Sequence, residues 1–182
     1  MPHTYWVAPL PPLHTADGTA YTGTAALGDI SPAPPIVIPA NQLEVASRLE
    51  FAAFGRFTST ATPGTIVMGI YLGTGAIAAG QAIAVTSALT LPASQTNRTW
   101  RLEGNASVRT VGAGTAATII GCLEITNITG TAPVVGTDIA PATAPAALTF
   151  DSTINNTVRL GVTPSVTTGS WQCHYFGVRS VN

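Results

Sequence analysis

Hydrophobic residues alternate with polar ones along much of this chain, and they do not recur at the three- and four-residue spacing of a helix. The alternation is clearest over residues 46–59, where Leu49, Phe51, Ala53 and Phe57 point one way and Arg48, Glu50 and Arg56 the other. Within 98–111, Trp100 and Leu102 oppose Arg101 and Glu103; within 156–163, Val158, Leu160 and Val162 oppose Arg159. Further runs rich in β-branched and aromatic residues at 36–39, 65–72, 81–90, 115–126 and 170–181 bring the expected strands to eight, with a short extra one around Ala147 to Phe150. In the last run, strict alternation puts Trp171, Cys173 and Tyr175 on one face and Gln172, His174 and Phe176 on the other. Neither face is plainly polar, so that strand is expected between two layers or at an interface. Glycine, threonine and proline fall in almost every window of a dozen residues, which disfavours helix throughout. The expected fold is all-β, an antiparallel sandwich of about eight strands.

Residues 1–35 read differently. Pro2, Pro9, Pro11, Pro12, Pro32, Pro34 and Pro35 are separated by small polar residues, a composition that does not build a packed core. This stretch is expected to be an extended arm with a reach on the order of 100 Å or else a disordered or locally folded leader, and residues 36–182 to be the sandwich domain. Tyr5, Trp6, Val7 and Leu10 at the tip of the arm suit docking into a groove on a neighbour. The N-terminus has no cationic start and its apolar residues are broken by prolines, so export by an ordinary signal peptide is not expected. Residues 127–146, rich in proline and alanine, form a long connection that is either a functional surface loop or a passive crossover.

Ile66 to Leu89 is apolar and long enough to suggest a membrane span. Gly69, Gly73, Gly75, Gly80, Gln81 and Thr86 interrupt it with turn chemistry, so two strands and a hairpin are expected instead, and no membrane partner. This hairpin lies in a span, residues 57–97, that has no charged side chain. Ile70, Tyr71 and Ile77 within it are candidate assembly contacts.

Charge is scarce everywhere: 8% of residues, against about a quarter in ordinary soluble domains, and all seven basic side chains are arginine. Either neighbours cover much of the surface, or threonine, serine and asparagine solvate it. The missing lysine also fits a GC-rich coding sequence. A net charge of −1 gives no basic footprint, so no nucleic-acid partner is expected. Cys122 and Cys173 fall within hydrophobic runs and read as two buried thiols, with a disulfide open if their strands are neighbours.

Catalysis finds little to work with. His3 and His14 lie in the arm, and His174, in the predicted fold, has no identifiable nucleophile beside it. Glu50, Glu103 and Glu124 lie on strands near Arg48, Arg101 and Arg109, where cross-strand ion pairs account for them better than paired acid and base. The run from Gly73 to Gly80 departs from the dinucleotide fingerprint and opens no helix. No metal-ligand spacing or cofactor motif occurs. A non-enzymatic protein without cofactor or metal is expected.

Two stretches carry a resemblance. From Asn41 to Gly73, an Asn-x-Leu start (Asn41, Leu43) leads through an arginine-bearing strand to Gly55-Arg56-Phe57 and then Ile70-Tyr71. From Thr99 to Ile125, the strand opens on Trp100-Arg101-Leu102-Glu103. Over roughly residues 36–181 this pattern resembles small virion proteins of tailed phages that infect actinobacteria. The resemblance implies a jelly-roll-like sandwich on the particle surface, made in the host cytoplasm, acting as a capsid decoration or capsid-associated protein. It implies the major capsid protein or other virion proteins as partners and a homo-oligomer, with a trimer favoured. The second expectation is a carbohydrate- or receptor-binding module of a tail or fibre, with Trp6, Trp171, His174 or Tyr175 stacking on sugar rings.

Overall fold

A computed structural model describes residues 16–22, 25–126, 146–167 and 169–181. The strands are β1 (Gly28–Asp29), β2 (Ile36–Ile38), β3 (Arg48–Ser59), β4 (Thr65–Gly73), β5 (Ala82–Val85), β6 (Leu89–Thr90), β7 (Arg98–Thr110), β8 (Ala117–Thr126), β9 (Leu148–Phe150), β10 (Asn156–Pro164) and β11 (Gly169–Val181), with one short 3-10 turn, Ala79–Gln81. They form two sheets. One has the order β1-β10-β4-β5, with β2 also on β10 and β6 also on β4; the other runs β11-β3-β7-β8-β9. Among the described residues every named strand pairing is antiparallel. The expected all-β sandwich is therefore the observed one. Its strand order shows the two-layer architecture, while jelly-roll connectivity is a finer claim that this order does not establish.

The period-2 pattern decides which residues meet in the middle. Leu49, Phe51, Ala53 and Phe57 of β3, Trp100, Leu102 and Val108 of β7, and Ile119, Leu123 and Ile125 of β8 face Ile66, Met68, Ile70 and Leu72 of β4 and Val158, Leu160 and Val162 of β10. All are buried. Trp171 lies flat on Phe57, ring centroids 4.7 Å apart and planes 5° apart, a contact worth about 1 kcal/mol beyond the area it buries.

Two departures from the simple pattern have local causes. The run expected at 81–90 divides into β5 and β6 because Thr86 Oγ1 accepts the Met68 N–H at 3.0 Å while the Thr86 N–H donates to the Met68 carbonyl at 2.8 Å. A side chain thus replaces a rung of the ladder, and the strand breaks there. In β11 the register shifts between Cys173 and Tyr175, so that Cys173 pairs with Gly55 and Tyr175 with Phe54. His174 is the extra residue of a β-bulge. Strict alternation is wrong from that point: Tyr175 joins Gln172 on the outer side and Phe176 turns into the core, where it is 1% exposed.

The described part of the arm lies against the sandwich of its own chain. Tyr21 and Trp171 exchange both backbone hydrogen bonds, at 2.8 and 2.9 Å, and the Gly18 N–H donates to the Cys173 carbonyl at 2.8 Å. This covers the edge of β11 at Trp171 and Cys173. The chain then crosses to the other sheet, where β1 pairs with β10 and the Ile30 N–H donates to the Leu160 carbonyl at 3.0 Å. Ile30 is fully buried and belongs to the core. Residues 16–22 and 25–38 thereby pair with part of the β11 edge and with the edge of β10, hiding N–H and C=O groups that would otherwise be open to other chains.

Candidate functional site

The outer faces of the two sheets differ sharply in charge. On the five-stranded sheet, β3 presents Arg48, Glu50, Ala52, Phe54 and Arg56; β7 presents Arg101, Glu103, Asn105 and Arg109; β8 presents Ile120, Cys122 and Glu124; β11 presents Gln172, Tyr175, Gly177 and Arg179. Five of the chain's seven arginines, Arg48, Arg56, Arg101, Arg109 and Arg179, lie on this one face. The outer face of the other sheet carries Val37, Thr65, Val67, Tyr71, Thr90, Thr157 and Thr163, with a single pair of charges, Arg159 to Asp29 at 2.7 Å. That pair is neutral as a unit.

Registers explain how the charged face is arranged. Arg179, Glu50, Asn105 and Cys122 stand in one row across β11, β3, β7 and β8; Gly177, Ala52, Glu103 and Glu124 form the next; Tyr175, Phe54, Arg101 and Thr126 the third. The Arg48 guanidinium donates to Asn105 Oδ1 at 2.8 Å and lies 3.3 Å from Glu50. Arg179 also pairs with Glu50, and Arg101 with Glu103. Two of these pairs run along a strand at i, i+2 and only Arg179–Glu50 crosses between strands, which amends the expected cross-strand pairing. Arg109 and Glu124 have no ion pair among the described residues. Tyr175 and Phe54 stack with centroids 5.5 Å apart and planes 16° apart, and Phe54 is 50% exposed. Phe54 was not among the candidates from sequence, because its alternation partner across the strand pair is hidden by the bulge.

The candidate contacts fall in different places. Tyr5, Trp6, Val7 and Leu10 lie outside the described residues. Ile70 is fully buried between the sheets and Tyr71 is 5% exposed, so neither offers an assembly surface. Tyr71 points outward but lies over Gly69 and Gly161, where a Cβ would meet its ring at 2.9 and 2.6 Å, and Ile77 and Leu27 crowd the same spot. Burial there raises the Tyr71 phenol pKa. Ile77 is half-buried. Trp171 is fully buried on Phe57 and presents no ring to a ligand, which removes it from the proposed stacking set; Tyr175 and His174 are partly exposed.

His174 Nδ1 lies 2.9 Å from Asp17 Oδ1, fastening the arm to the bulge, and its Nε2 is buried with no hydrogen-bond partner among the described residues. Among the described residues no nucleophile is hydrogen-bonded to His174. Both cysteines are free, but they differ: Cys173 is buried, with its thiol pushed up to about 12 chiefly by desolvation, whereas Cys122 points outward and is exposed. The hydrophobic run around Cys122 misleads because its neighbours Gly121 and Leu123 take the inward positions. Among the described residues no group of three or more His, Cys, Asp or Glu side chains is placed to hold a metal ion, and no helix is long and apolar enough to cross a membrane. No protein-family model, curated protein or solved structure matches this chain.

Proposed function

We propose that this chain is a non-enzymatic structural protein of a bacteriophage particle, a capsid decoration or capsid-associated protein that self-associates, with a trimer favoured, and docks on the shell. The observation that carries this reading is the contrast between the two outer faces. A face of threonine, valine and one neutral ion pair loses little hydration when covered, whereas a face with five arginines and three glutamates does not cover cheaply. The uncharged face is thus suited to packing against the shell or a neighbouring subunit, and the charged face to water. The resemblance of residues 36–181 to phage virion proteins supports the same reading.

The contact residues on this account are Val37, Val67, Thr157 and Thr163, in place of the buried Ile70 and Tyr71. Purified particles lacking the protein should bind it saturably. Val67→Arg and Thr163→Glu should each abolish that binding, because a new charge must then be desolvated, while Arg56→Ala on the opposite face should leave it unchanged. Normal binding by both uncharged-face variants would count against the proposal.

A further inference from the structure

The rows of the charged face enclose a trench. Ala52 and Gly177 are register neighbours and form its floor, with Arg179, Glu50 and Asn105 on one side and Tyr175, stacked on Phe54, on the other. A Cβ at Gly177 would lie 2.3 Å from Tyr175 Oη, so the tyrosine ring lies along the strand over this glycine and walls the trench. The trench encloses about 450 Å³ and is lined by Arg48, Glu50, Ala52, Glu103, Asn105 and Tyr175 among others. That is the size of a small-molecule site.

Its chemistry is specific. Arg48 and Arg179 contribute two positive charges, and Glu50 and Glu103 two negative, so the trench is balanced. A polyanion finds no excess positive charge there to displace its counterions. The guanidiniums and carboxylates are held by one another, Arg48 on both Asn105 and Glu50 and Arg179 on Glu50, so planar pairs of donors and acceptors stand fixed beside one another. Across the floor stands an aromatic wall stiffened by the Phe54–Tyr175 stack. Fixed donor and acceptor pairs match the vicinal hydroxyls of a sugar, and an aromatic wall matches the apolar C–H face of a pyranose ring. A peptide adding as a strand would pair along a sheet edge, whereas the trench floor is the face of β3 and β11, where the backbone groups are already paired within the sheet.

We propose that this trench is a binding site for neutral oligosaccharides of two or three sugar units. The site does not depend on the virion reading, although it lies on the face that reading leaves to water.

The test uses the full chain on an array of neutral, acidic and sulfated oligosaccharides, followed by calorimetry on the best neutral binder. Binding to a neutral oligosaccharide should change little between about 50 and 500 mM salt. Ala52→Leu, which fills the floor, and Tyr175→Ala, which removes the wall, should each weaken it at least about tenfold. Arg56→Ala, on the same face outside the trench, should not weaken it. Circular dichroism and the melting temperature separate loss of the site from loss of the fold, and Ala52→Leu, at a half-exposed position, keeps the question answerable if Tyr175→Ala unfolds. Three results would overturn the proposal: no neutral oligosaccharide bound at millimolar concentration, binding confined to acidic or sulfated glycans and lost with salt, or full binding by folded Ala52→Leu. Particle binding by Ala52→Leu should be normal, so a failure here is distinct from a failure of the docking proposal.

Discussion

Asp17 meets His174 through Oδ1 and Nδ1 at 2.9 Å, and His174 is the one residue by which β11 exceeds its partner β3. The arm is thus fastened at the bulge. The bulge also sets which side chains of β11 enter the core, because Cys173 faces inward opposite Gly55 and Tyr175 outward opposite Phe54 with a residue to spare between them.

Deleting His174 should therefore be tolerated better than deleting Gln172. Without His174 the ladder becomes regular, with Tyr175 still outward and Phe176 still inward; without Gln172, Cys173 moves outward and His174 is forced into the core. The first deletion loses the arm contact and should lower the melting temperature by several degrees. The second should cost about 2 kcal/mol or more for burying an imidazole without partners. Thermal unfolding followed by circular dichroism distinguishes them; equal melting temperatures would contradict the bulge assignment.

Ile30 and Val37 test how far the arm belongs to the fold. Ile30 is fully buried and Val37 is 43% exposed, although both come from the proline-rich N-terminal region or its border. Ile30→Ala should destabilise by about 2–5 kcal/mol and Val37→Ala by about 0.5 kcal/mol or less, read from urea unfolding midpoints. It follows that removing the whole of residues 1–35 strips a core side chain and the arm's pairings with β11 and β10, and should unfold the sandwich rather than only release a tether.

The two thiols should react very differently. Cys122 should be labelled by a maleimide at neutral pH in the native protein, and Cys173 only after denaturation, since its thiol is buried and raised to about 12. The raised value also fixes a pH dependence. An unfolded thiol ionises near its ordinary value of 9.0 while the folded one holds its proton to about 12, so the stability this group contributes is present below about pH 9 and is lost as pH rises towards 12. Tyr71, raised by burial, acts in the same direction. Cys173→Ala should flatten the fall in melting temperature between about pH 9 and 11; an unchanged slope would contradict the assignment.

Nearly every long strand was legible because a half-buried strand must alternate, as Leu49 to Phe57 and Trp100 to Val108 do. The hairpin reading of the uncharged span also follows this logic, for β4 is covered on both sides: the core takes Ile66, Met68 and Ile70, and Tyr71 with Ile77 lies over the glycines outside. What alternation cannot reveal is a shift in phase. His174 carries no mark of a bulge, so the faces of Tyr175 and Phe176 were exchanged, and with them the aromatic wall at Phe54 went unseen. Short elements such as Gly28–Asp29 exist through pairing with β10 rather than through a pattern of their own, and a lone Ile30 among small residues gives no periodicity to read. The trench is a property of register, built where rows of β11, β3 and β7 meet, and no single strand contains it.

The proposed role on a particle is tested most directly by electron microscopy of native particles purified from the source of this chain. The density should contain this sandwich in multiple symmetry-related copies on the shell, with Val67 and Thr163 against a neighbouring protein and Arg56, Arg101 and Arg179 facing water. Particles without the protein, or density in which the arginine-bearing face is the one packed against the shell, would contradict the account.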